Sequence, residues 1–234
     1  MGTVVVTGAN RGIGLALASQ LAARGDRVIA GCRNPDAADA LRAAGVSDIT
    51  AVDVADEASV STFAAAVTGL LGGDTLDALY NNAGAGVAAL GLDRRQANVL
   101  DVPMSAVEDL TRINGLSAAT VSRSLVPVMG QGSTIVNISS QIGSMVVGAR
   151  FPDLPYAVSK AVMNMVTVQL ATALKDNGIA AVCFHPGWVR TDMGGEAADI
   201  APDEAAAGIV AKVDGLGPDD NGGFFRHDGT VHPW

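Results

Sequence analysis

The sequence contains little cysteine, comparatively little basic charge and no long apolar run. Its 234 residues include 2 cysteines, so a disulfide framework is excluded by count, and Cys32 and Cys183 are expected to be buried thiols of a reduced cytoplasm. Lysine and arginine total 15 against 24 aspartates and glutamates, which gives a formal net charge of −9. This charge argues against nucleic acid and against anionic membrane surfaces as partners.

No apolar run reaches the roughly 18 residues that a membrane span needs, so no membrane segment is expected. The first strand-like run begins at Thr3, so we expect no signal peptide and a cytoplasmic protein. The histidines His185, His227 and His232 lack the spacing of metal ligands, and no metal site is expected. Hydrophobic residues make up 49% of the chain, which is long enough to bury the core of one α/β domain, residues 1–234.

The stretch 3–17, TVVVTGANRGIGLAL, joins a strand-like run to a helix-like run through a glycine-rich loop. Residues 3–6 are β-branched, as in a buried strand, and Gly8, Gly12 and Gly14 punctuate the loop. A helix start carries about half a positive charge and several unpaired N–H donors, and glycines let a pyrophosphate approach the backbone. The G-x3-G-x-G spacing therefore favours a phosphate site. A glycine-rich turn without a ligand is the alternative.

Strand-like and helix-like runs alternate along the whole chain, which predicts a parallel sheet. Strands are predicted at 3–6, 27–31, 48–52, 76–80, 133–139, 179–184 and 223–225. Helices are predicted at 13–24, 35–44, 56–71, 105–129 and 156–177, with a further one in the alanine-rich region 197–211. Segments 85–103 and 141–155 are predicted to be irregular. Right-handed crossovers make this a three-layer, doubly wound α/β sheet of about seven strands, with helices on both faces and ligand at the carboxyl ends of the strands.

Tyr156 and Lys160 are four residues apart on a predicted helix, so their side chains project from one face. A tyrosine holds its proton to about pH 10, and a fixed ammonium group nearby stabilises the phenolate and lowers that pKa. Ser140 ends the predicted fifth strand, where its hydroxyl could donate to a substrate carbonyl oxygen. The alternative is ordinary, because Y-x3-K occurs by chance and a serine at a strand end commonly caps a turn.

Several motifs follow one another in a particular order. They are Thr7-Gly8-x3-Gly12-Ile13-Gly14, Asn81-Asn82-Ala83-Gly84, Asn114, Asn137-Ile138-Ser139-Ser140, Tyr156-x3-Lys160 and Pro186-Gly187. Together they resemble the short-chain dehydrogenase/reductase family, and the resemblance extends over residues 3–193. The closing segment 222–234 resembles the small C-factor-like carbonyl reductases of that family. The resemblance implies a Rossmann fold and hydride transfer between NAD(P)(H) and a carbonyl or alcohol.

The resemblance also implies roles for individual residues. Tyr156 would be the acid–base, Lys160 would lower the pKa of Tyr156 and hold the nicotinamide ribose, and Ser140 would orient the carbonyl. Asn114 would kink the long helix and support a water in a proton relay. The residues implied to contact the cofactor are Gly8, Asn10, Arg11, Gly12, Ile13, Gly14, Arg33, Asp53, Val54, Asn82, Ala83, Gly84, Tyr156, Lys160, Pro186, Gly187, Val189 and Thr191.

The end of the second predicted strand indicates which nicotinamide cofactor is used. A carboxylate there would hydrogen-bond the ribose 2′-hydroxyl and repel a 2′-phosphate. The position 18 residues after the third loop glycine is Cys32, Arg33 follows it, and Arg11 adds a second cation. NADP(H) is therefore expected, with solvated surface arginines as the alternative. Asp53 could cap a turn, but the resemblance places it, with Val54, at the adenine ring.

Apolar residues flank the predicted catalytic residues and favour a small to medium-sized apolar carbonyl substrate. They are Ile142, Met145, Val146, Val147, Phe151, Trp188 and Met193. The resemblance implies a homodimer or homotetramer formed through helices 105–129 and 156–177. Three classes of function remain open: an NADP(H)-dependent reductase or alcohol dehydrogenase, an enzyme using the same fold for a non-redox or cofactor-assisted reaction, and an NADPH-binding signalling or regulatory protein. The presence of Ser140, Tyr156 and Lys160 together favours the first class.

Overall fold

The computed structural model describes residues 2–93 and 96–234, and within them it contains a sheet of seven parallel strands. The strands are Thr3–Thr7 (β1), Arg27–Cys32 (β2), Asp48–Ala51 (β3), Leu76–Asn81 (β4), Met129–Ile138 (β5), Ala180–His185 (β6) and Phe224–Arg226 (β7). Their order is β3-β2-β1-β4-β5-β6-β7. Strand order reverses between β1 and β4, so the crevice suited to a ligand lies at the carboxyl ends of these strands. The predicted doubly wound, Rossmann-type sheet is confirmed.

Helices connect the strands. The α-helices are Gly12–Ala23 (α1), Asp39–Ala43 (α2), Glu57–Leu71 (α3), Met104–Leu110 (α4), Ser117–Leu125 (α5), Leu154–Ala173 (α6) and Pro202–Asp214 (α7). A π-helical turn, Thr111–Leu116, joins α4 to α5. The 3₁₀ turns are Pro35–Ala37, Val87–Leu90, Val126–Val128, Gln141–Gly143, Gly148–Arg150, Lys175–Asn177 and Pro218–Asp220.

Alternate valines of β1 face two separate hydrophobic cores. Val4 and Val6 pack in one core with side chains from α1 and α7, among them Leu17 and Ile209. Val5 packs in the other core with side chains from α3, α5 and α6. Because β1 is buried on both faces, its sequence is a continuous β-branched run rather than an alternating one. The predicted three layers, with helices on both faces of the sheet, are confirmed.

The predicted helix over 105–129 is wrong in its extent. α4 passes into the π-helical turn, and α5 ends at Leu125. Pro127 lies in the 3₁₀ turn that follows, and a proline has no N–H with which to continue an α-helix. Met129 begins β5 and pairs with Leu76 of β4. The glycine after Met129, which resembles a helix stop in the sequence, therefore lies inside a strand.

Two shorter predicted helices also differ from the structure. Residues 35–44 form a 3₁₀ turn followed by the short α2, because Ala38 between them has a non-helical ψ of 43°. In the alanine-rich region 197–211, α7 begins only at Pro202. Proline is favoured in the first turn of a helix, where its missing N–H would have no partner, so it marks the start.

The helix that carries Tyr156 begins earlier than the predicted range 156–177. The carboxylate of Asp153 accepts the N–H of Tyr156 at 3.2 Å and caps the helix. The predicted loop 141–155 therefore includes the first two residues of α6, as well as two 3₁₀ turns. α6 has 20 residues, and no helix within the described ranges combines the length and apolar character that crossing a membrane would require.

Candidate active site

The loop between β1 and α1 packs against the segment that follows β4. Gly8 has a φ of +63°, and a Cβ there would lie 2.8 Å from the Cα of Ala83. A Cβ at Gly14 would collide with the carbonyl oxygen of Gly8. Only glycine fits these two positions, because side chains would be excluded by the neighbouring backbone. The glycine loop is thus folded tightly over the carboxyl ends of β1 and β4.

Two polar side chains fix the glycine loop to the segment after β4. Thr7 Oγ1 accepts the N–H groups of Asn82 and Ala83, each at 3.1 Å. The side-chain amide of Asn82 donates to the carbonyl oxygens of Thr7 and Gly8, at 3.0 and 3.2 Å. The resemblance implies that Asn82 contacts the cofactor, and in the structure its side chain holds two carbonyl groups of the glycine loop. No role for Thr7 was predicted from the sequence. The position of its hydroxyl at the end of a strand-like run could have indicated that it holds the neighbouring loop.

The amino end of α1 follows directly from the glycine loop. Within the described part of the chain, no side chain caps this helix and its first turn holds no acidic residue. Its first N–H groups are therefore available to an anion. Thr191 lies over the loop, since a Cβ at Gly12 would be 3.1 Å from its Cγ2. Arg11 is exposed, with its Nη1 2.8 Å from Oδ2 of Asp192, while Asn10 is exposed and Ile13 packs against the first core.

The carboxyl end of β2 presents a cation and no carboxylate. Cys32 is buried there, and burial raises the pKa of its thiol. Arg33, the next residue, is exposed. At the end of β3, Asp53 Oδ1 accepts the N–H of Ala55 at 3.0 Å, so its carboxylate does form the turn cap that was the alternative to adenine contact. Val54 is half-buried against the second core.

Tyr156 and Lys160 lie on one face of α6, as their spacing predicts. Lys160 is 4% exposed, and its Nζ donates to the carbonyl oxygen of Ile138 at 2.8 Å. The same Nζ lies 5.7 Å from the centroid of the Tyr156 ring. Burial lowers the pKa of Lys160 to about 8. The residue types did not predict the acceptor of the Lys160 ammonium group, because that acceptor is the main-chain carbonyl of Ile138 at the end of β5.

Ser140 stands at the carboxyl end of β5 and is buried. Its Oγ accepts the N–H of Ile142 at 3.3 Å and so begins the 3₁₀ turn Gln141–Gly143. A Cβ at Gly143 would lie 2.6 Å from the carbonyl carbon of Lys160. This turn therefore packs directly on the backbone of α6, the helix that carries the predicted catalytic pair.

Asn114 lies in the π-helical turn and is fully buried. Its Oδ1 accepts the N–H of Ala85 at 2.7 Å, and its Nδ2 donates to the carbonyl of Ala85 and to Ser159 Oγ, both at 2.9 Å. A Cβ at Gly84 would lie 3.1 Å from Oδ1 of Asn114 and 3.8 Å from Nζ of Lys160. Asn114 thus holds the segment after β4 close to the ammonium group of Lys160.

The turn after β6 is held by a histidine. His185 is buried, and its Nδ1 accepts the N–H of Gly187 at 3.4 Å. Gly187 follows Pro186 in this turn. Burial lowers the pKa of His185 to about 3, so the ring is a neutral acceptor. Val189 is buried beyond the turn. Within the described residues, no group of three histidine, cysteine or acidic side chains is arranged to hold a metal ion.

Apolar side chains are exposed in the segments that follow Ser140 and the Pro186–Gly187 turn. Met145 and Val146, in the segment after Ser140, are 85% and 70% exposed. Trp188 and Met193, after the Pro186–Gly187 turn, are exposed as well. The other predicted pocket residues are half-buried: Ile142, Val147 and Phe151.

The predicted site residues gather into neighbouring groups along the carboxyl edge of the sheet. One group lies at the start of α6 and consists of Tyr156 and Lys160 on the helix with Asn114 and Gly84 beside them. The turn that begins at Ser140 packs on the same helix. The glycine loop, Asn82 and Thr191 surround the end of β1. The residues at the ends of β2 and β3 continue the same edge. The arrangement suits an elongated anionic ligand with its reactive end beside Tyr156.

Comparison with known proteins identifies the family of the chain. The sequence pattern of the family described as short chain dehydrogenase matches residues 2–200. The chain belongs to the short-chain dehydrogenase family. The oxidoreductase family expected from the motifs is therefore confirmed.

Two relatives and one solved structure are similar to this short-chain dehydrogenase over two thirds or more of its length. A 1-hydroxy-2-glutathionyl-2-methyl-3-butene dehydrogenase of Rhodococcus sp. (strain AD45) is 34% identical over 238 residues, which cover 100% of both chains. The C-signal protein of Myxococcus xanthus is 34% identical over 163 residues, covering 68% of this chain and 93% of that protein. The NADPH-bound carbonyl reductase from chicken fatty liver has a TM-score of 0.89 and 31% identity, covering 100% of this chain and 99% of that one.

Proposed function

We propose that this short-chain dehydrogenase is an NADP(H)-dependent carbonyl reductase or alcohol dehydrogenase in which Tyr156 is the acid–base. The observation that carries the proposal is the buried ammonium group of Lys160, which lies 5.7 Å from the Tyr156 ring and is fixed by the carbonyl of Ile138. A protein that only bound a cofactor would have no need of an acid–base tyrosine beside that ammonium group. Ser140, which begins the turn packed on α6, would be the third side chain of the active site with Tyr156 and Lys160.

The described residues fit a phosphorylated dinucleotide. The uncapped start of α1 offers N–H donors to the pyrophosphate, and Gly8 and Gly14 keep side chains away from its path. Asn82 fixes the shape of this cradle by holding two loop carbonyls. At the end of β2, Arg33 would attract a ribose 2′-phosphate where NAD-dependent sites place a carboxylate. The NADPH of the chicken carbonyl reductase supports the same choice.

The chemistry follows from the positions of three side chains. NADPH, when bound, supplies the hydride. Negative charge then develops on the carbonyl oxygen of the substrate, and the Tyr156 hydroxyl donates a proton to that oxygen. The Ser140 hydroxyl donates a hydrogen bond to the same oxygen and orients the carbonyl. Lys160 stabilises the phenolate that remains on Tyr156. In the oxidative direction, the same phenolate would accept the proton of an alcohol.

The substrate class follows from the exposed side chains near the site. Met145, Val146, Trp188 and Met193 present apolar surface, and apolar surface favours a small to medium-sized apolar ketone or aldehyde. The whole of residues 1–234 would act as one domain in the cytoplasm, in a homodimer or homotetramer. Strong preference for a sugar phosphate would contradict this substrate class.

A signalling role is the second candidate, and the likeness to the C-signal protein favours it. Such a role would require NADPH binding without turnover. The two candidates differ in what the wild-type protein does with bound NADPH.

The test is oxidation of NADPH by the purified protein with a panel of aldehydes, ketones, quinones and imines. We expect turnover with apolar members of the panel, and at least about tenfold slower turnover by Ser140→Ala, since that variant lacks a donor to the carbonyl oxygen. Calorimetric titration with NADPH should give the same affinity for both proteins. Binding of NADPH without turnover of any compound would instead favour the signalling role.

A further inference from the structure

Asn164 lies one helical turn beyond Lys160 on α6 and is 5% exposed. Its Oδ1 accepts the hydroxyl of Ser139 at 2.6 Å and the thiol of Cys183 at 3.3 Å. Its Nδ2 donates to the carbonyl oxygen of Gly143 at 3.2 Å. One buried amide therefore joins α6 to the end of β5, to β6 and to the turn that follows Ser140.

Ser140 is enclosed between two of these contacts. Ser139 immediately precedes it, and Gly143 ends the turn that it begins. Within the turn, Ser140 Oγ accepts the N–H of Ile142, and the carbonyl of Ser140 accepts the N–H of Gly143 at 3.0 Å. The direction of the Ser140 hydroxyl thus depends on a turn that is attached to Asn164 at both ends.

The turn also lies against the backbone of the catalytic helix. A Cβ at Gly143 would be 2.6 Å from the carbonyl carbon of Lys160 and 2.8 Å from the amide nitrogen of Ala161. Gly143 therefore lies in direct backbone contact with α6, and the bond from Asn164 fixes its carbonyl there. An amide suits this position because it both accepts from a hydroxyl and donates to a carbonyl.

We propose that Asn164 is a positioning residue for the reaction, which holds the turn Gln141–Gly143 so that the Ser140 hydroxyl stays aligned with Tyr156 and Lys160. This inference rests on the proposed function, because it assigns Asn164 an effect that passes through Ser140. A side chain with a purely structural task would stabilise the fold without affecting Ser140 in particular.

A double-mutant cycle separates the two roles. The four proteins are the wild type, Asn164→Leu, Ser140→Ala and the double variant, compared by kcat and KM for benzaldehyde, or for the best carbonyl of the panel, at saturating NADPH. We expect Asn164→Leu to lower kcat about tenfold in the wild-type background and less than about twofold in the Ser140→Ala background. The Kd for NADPH should be unchanged in all four proteins.

Thr167→Val is the matched control. Thr167 is fully buried on the same helix and accepts the side-chain amide of Asn137 at 2.8 Å, without a hydrogen bond to the Ser140 turn among the described contacts. We expect this variant to lower Tm as Asn164→Leu does, while kcat stays within about twofold of wild type. An equal loss of kcat in Thr167→Val would overturn the inference.

The remaining outcomes are also decisive. Equal losses from Asn164→Leu in both backgrounds would contradict the inference while leaving the proposed function intact. If the wild type reduces no carbonyl, the proposed function fails and the inference fails with it. If the wild type is active and Ser140→Ala is equally active, the inference fails while the proposed function stands. If Asn164→Leu does not fold, Asn164→Asp replaces it in the cycle, because a carboxylate keeps the acceptor and removes the donor to Gly143, and the same expectations apply.

Discussion

The ammonium group of Lys160 is buried beside Tyr156, and burial lowers its pKa from the ordinary 10.5 to about 8. At neutral pH the group is still mostly protonated, as stabilisation of a phenolate requires. The hydrogen bond to the carbonyl of Ile138 compensates part of the lost hydration. The energetic penalty of burying this charge is therefore present at pH 7 and disappears in base.

The free energy of unfolding should record this penalty. Between the folded pKa near 8 and the unfolded value of 10.5, the unfolded chain binds more protons at Lys160, so stability rises with pH in that window. We expect the wild type to gain about 2 kcal/mol relative to Lys160→Met from about pH 7 to about pH 9.5. Urea unfolding at several pH values measures the difference, and parallel curves for the two proteins would show that Lys160 titrates normally.

Cofactor preference is also decided at single residues. Arg33 is exposed after β2, so its removal should not disturb the fold. We expect Arg33→Ala to raise the KM for NADPH about tenfold and to leave the KM for NADH unchanged, because the two cofactors differ only at the 2′-phosphate. Adding Cys32→Asp should move the preference further toward NADH. Arg123→Ala, at an exposed arginine on α5, is the control. If the wild type bound NADH as tightly as NADPH or more tightly, the preference for NADP(H) would be contradicted.

Residue spacing predicted the placement of Tyr156 and Lys160, because four positions along any α-helix return to the same face. It did not predict the acceptor of the Lys160 ammonium group, which is the main-chain carbonyl of Ile138. Nor did it predict that Asn82 would hold two loop carbonyls. Contacts that involve main-chain atoms depend on how strands and loops meet in space, and residue types alone do not encode them.

At the scale of elements, the π-helical turn Thr111–Leu116 is the clearest departure from the predicted helix over 105–129. The turn contains Asn114, whose amide bonds Ala85 and Ser159. Periodicity could not reveal it, because one wide turn scarcely changes the apolar pattern. The resemblance implied a kink at Asn114, and in the structure Asn114 lies in this π-helical turn.

The segment 188–200 is a second element that sequence periodicity did not describe. The indole N–H of Trp188 donates to the carbonyl of Gly194 at 2.9 Å, and the Arg190 guanidinium donates to the carbonyl of Ala198 at 2.9 Å. Both hydrogen bonds join residues within the segment 188–200. The pair between Arg11 and Asp192 connects it to the glycine loop.

Removing the Asp192 charge tests whether Arg11 contributes to cofactor binding. Asp192 is exposed and pairs with the Arg11 guanidinium, so it would compete with a cofactor phosphate for that group. We expect Asp192→Asn to lower the KM for NADPH roughly two- to fivefold, with a smaller effect on NADH and little change in Tm. Asp199→Asn, an exposed acid on the same segment, should change neither constant. Equal effects on NADPH and NADH would show that Arg11 does not discriminate between them.

At the scale of the whole molecule, the alternation of strands and helices was enough to predict the parallel sheet and its layers. The strand order, and with it the reversal between β1 and β4, came only from the structure. Boundaries were less predictable where proline or an acidic cap acts, as at Pro127 and Asp153. There, one side chain decides whether a helix continues, against an apolar pattern that extends past it.

Oligomeric state is a property of the whole molecule that can be measured directly. The π-helical turn and α6 pack closely, since a Cβ at Gly115 would lie 2.8 Å from the carbonyl oxygen of Ser159. Leu116 and Met165, from the same two elements, are 49% and 59% exposed. We expect light scattering at micromolar concentration to give a dimer or tetramer mass, and Met165→Glu to reduce it by burying a charge at the contact. A monomer mass for the wild type would contradict the proposed assembly.

The central claim is that Tyr156 transfers the proton, and its most direct test is Tyr156→Phe. The aromatic ring packs against a small core that includes Val87 and Leu110, so the variant should keep the fold and lose only the hydroxyl. Tyr80→Phe makes the same change at the other of the 2 tyrosines, in the buried core, and is the control. We expect Tyr156→Phe to bind NADPH within about twofold of wild type and to lose at least about 100-fold in kcat, with Tyr80→Phe fully active. Wild-type rates of carbonyl reduction by Tyr156→Phe would contradict the account.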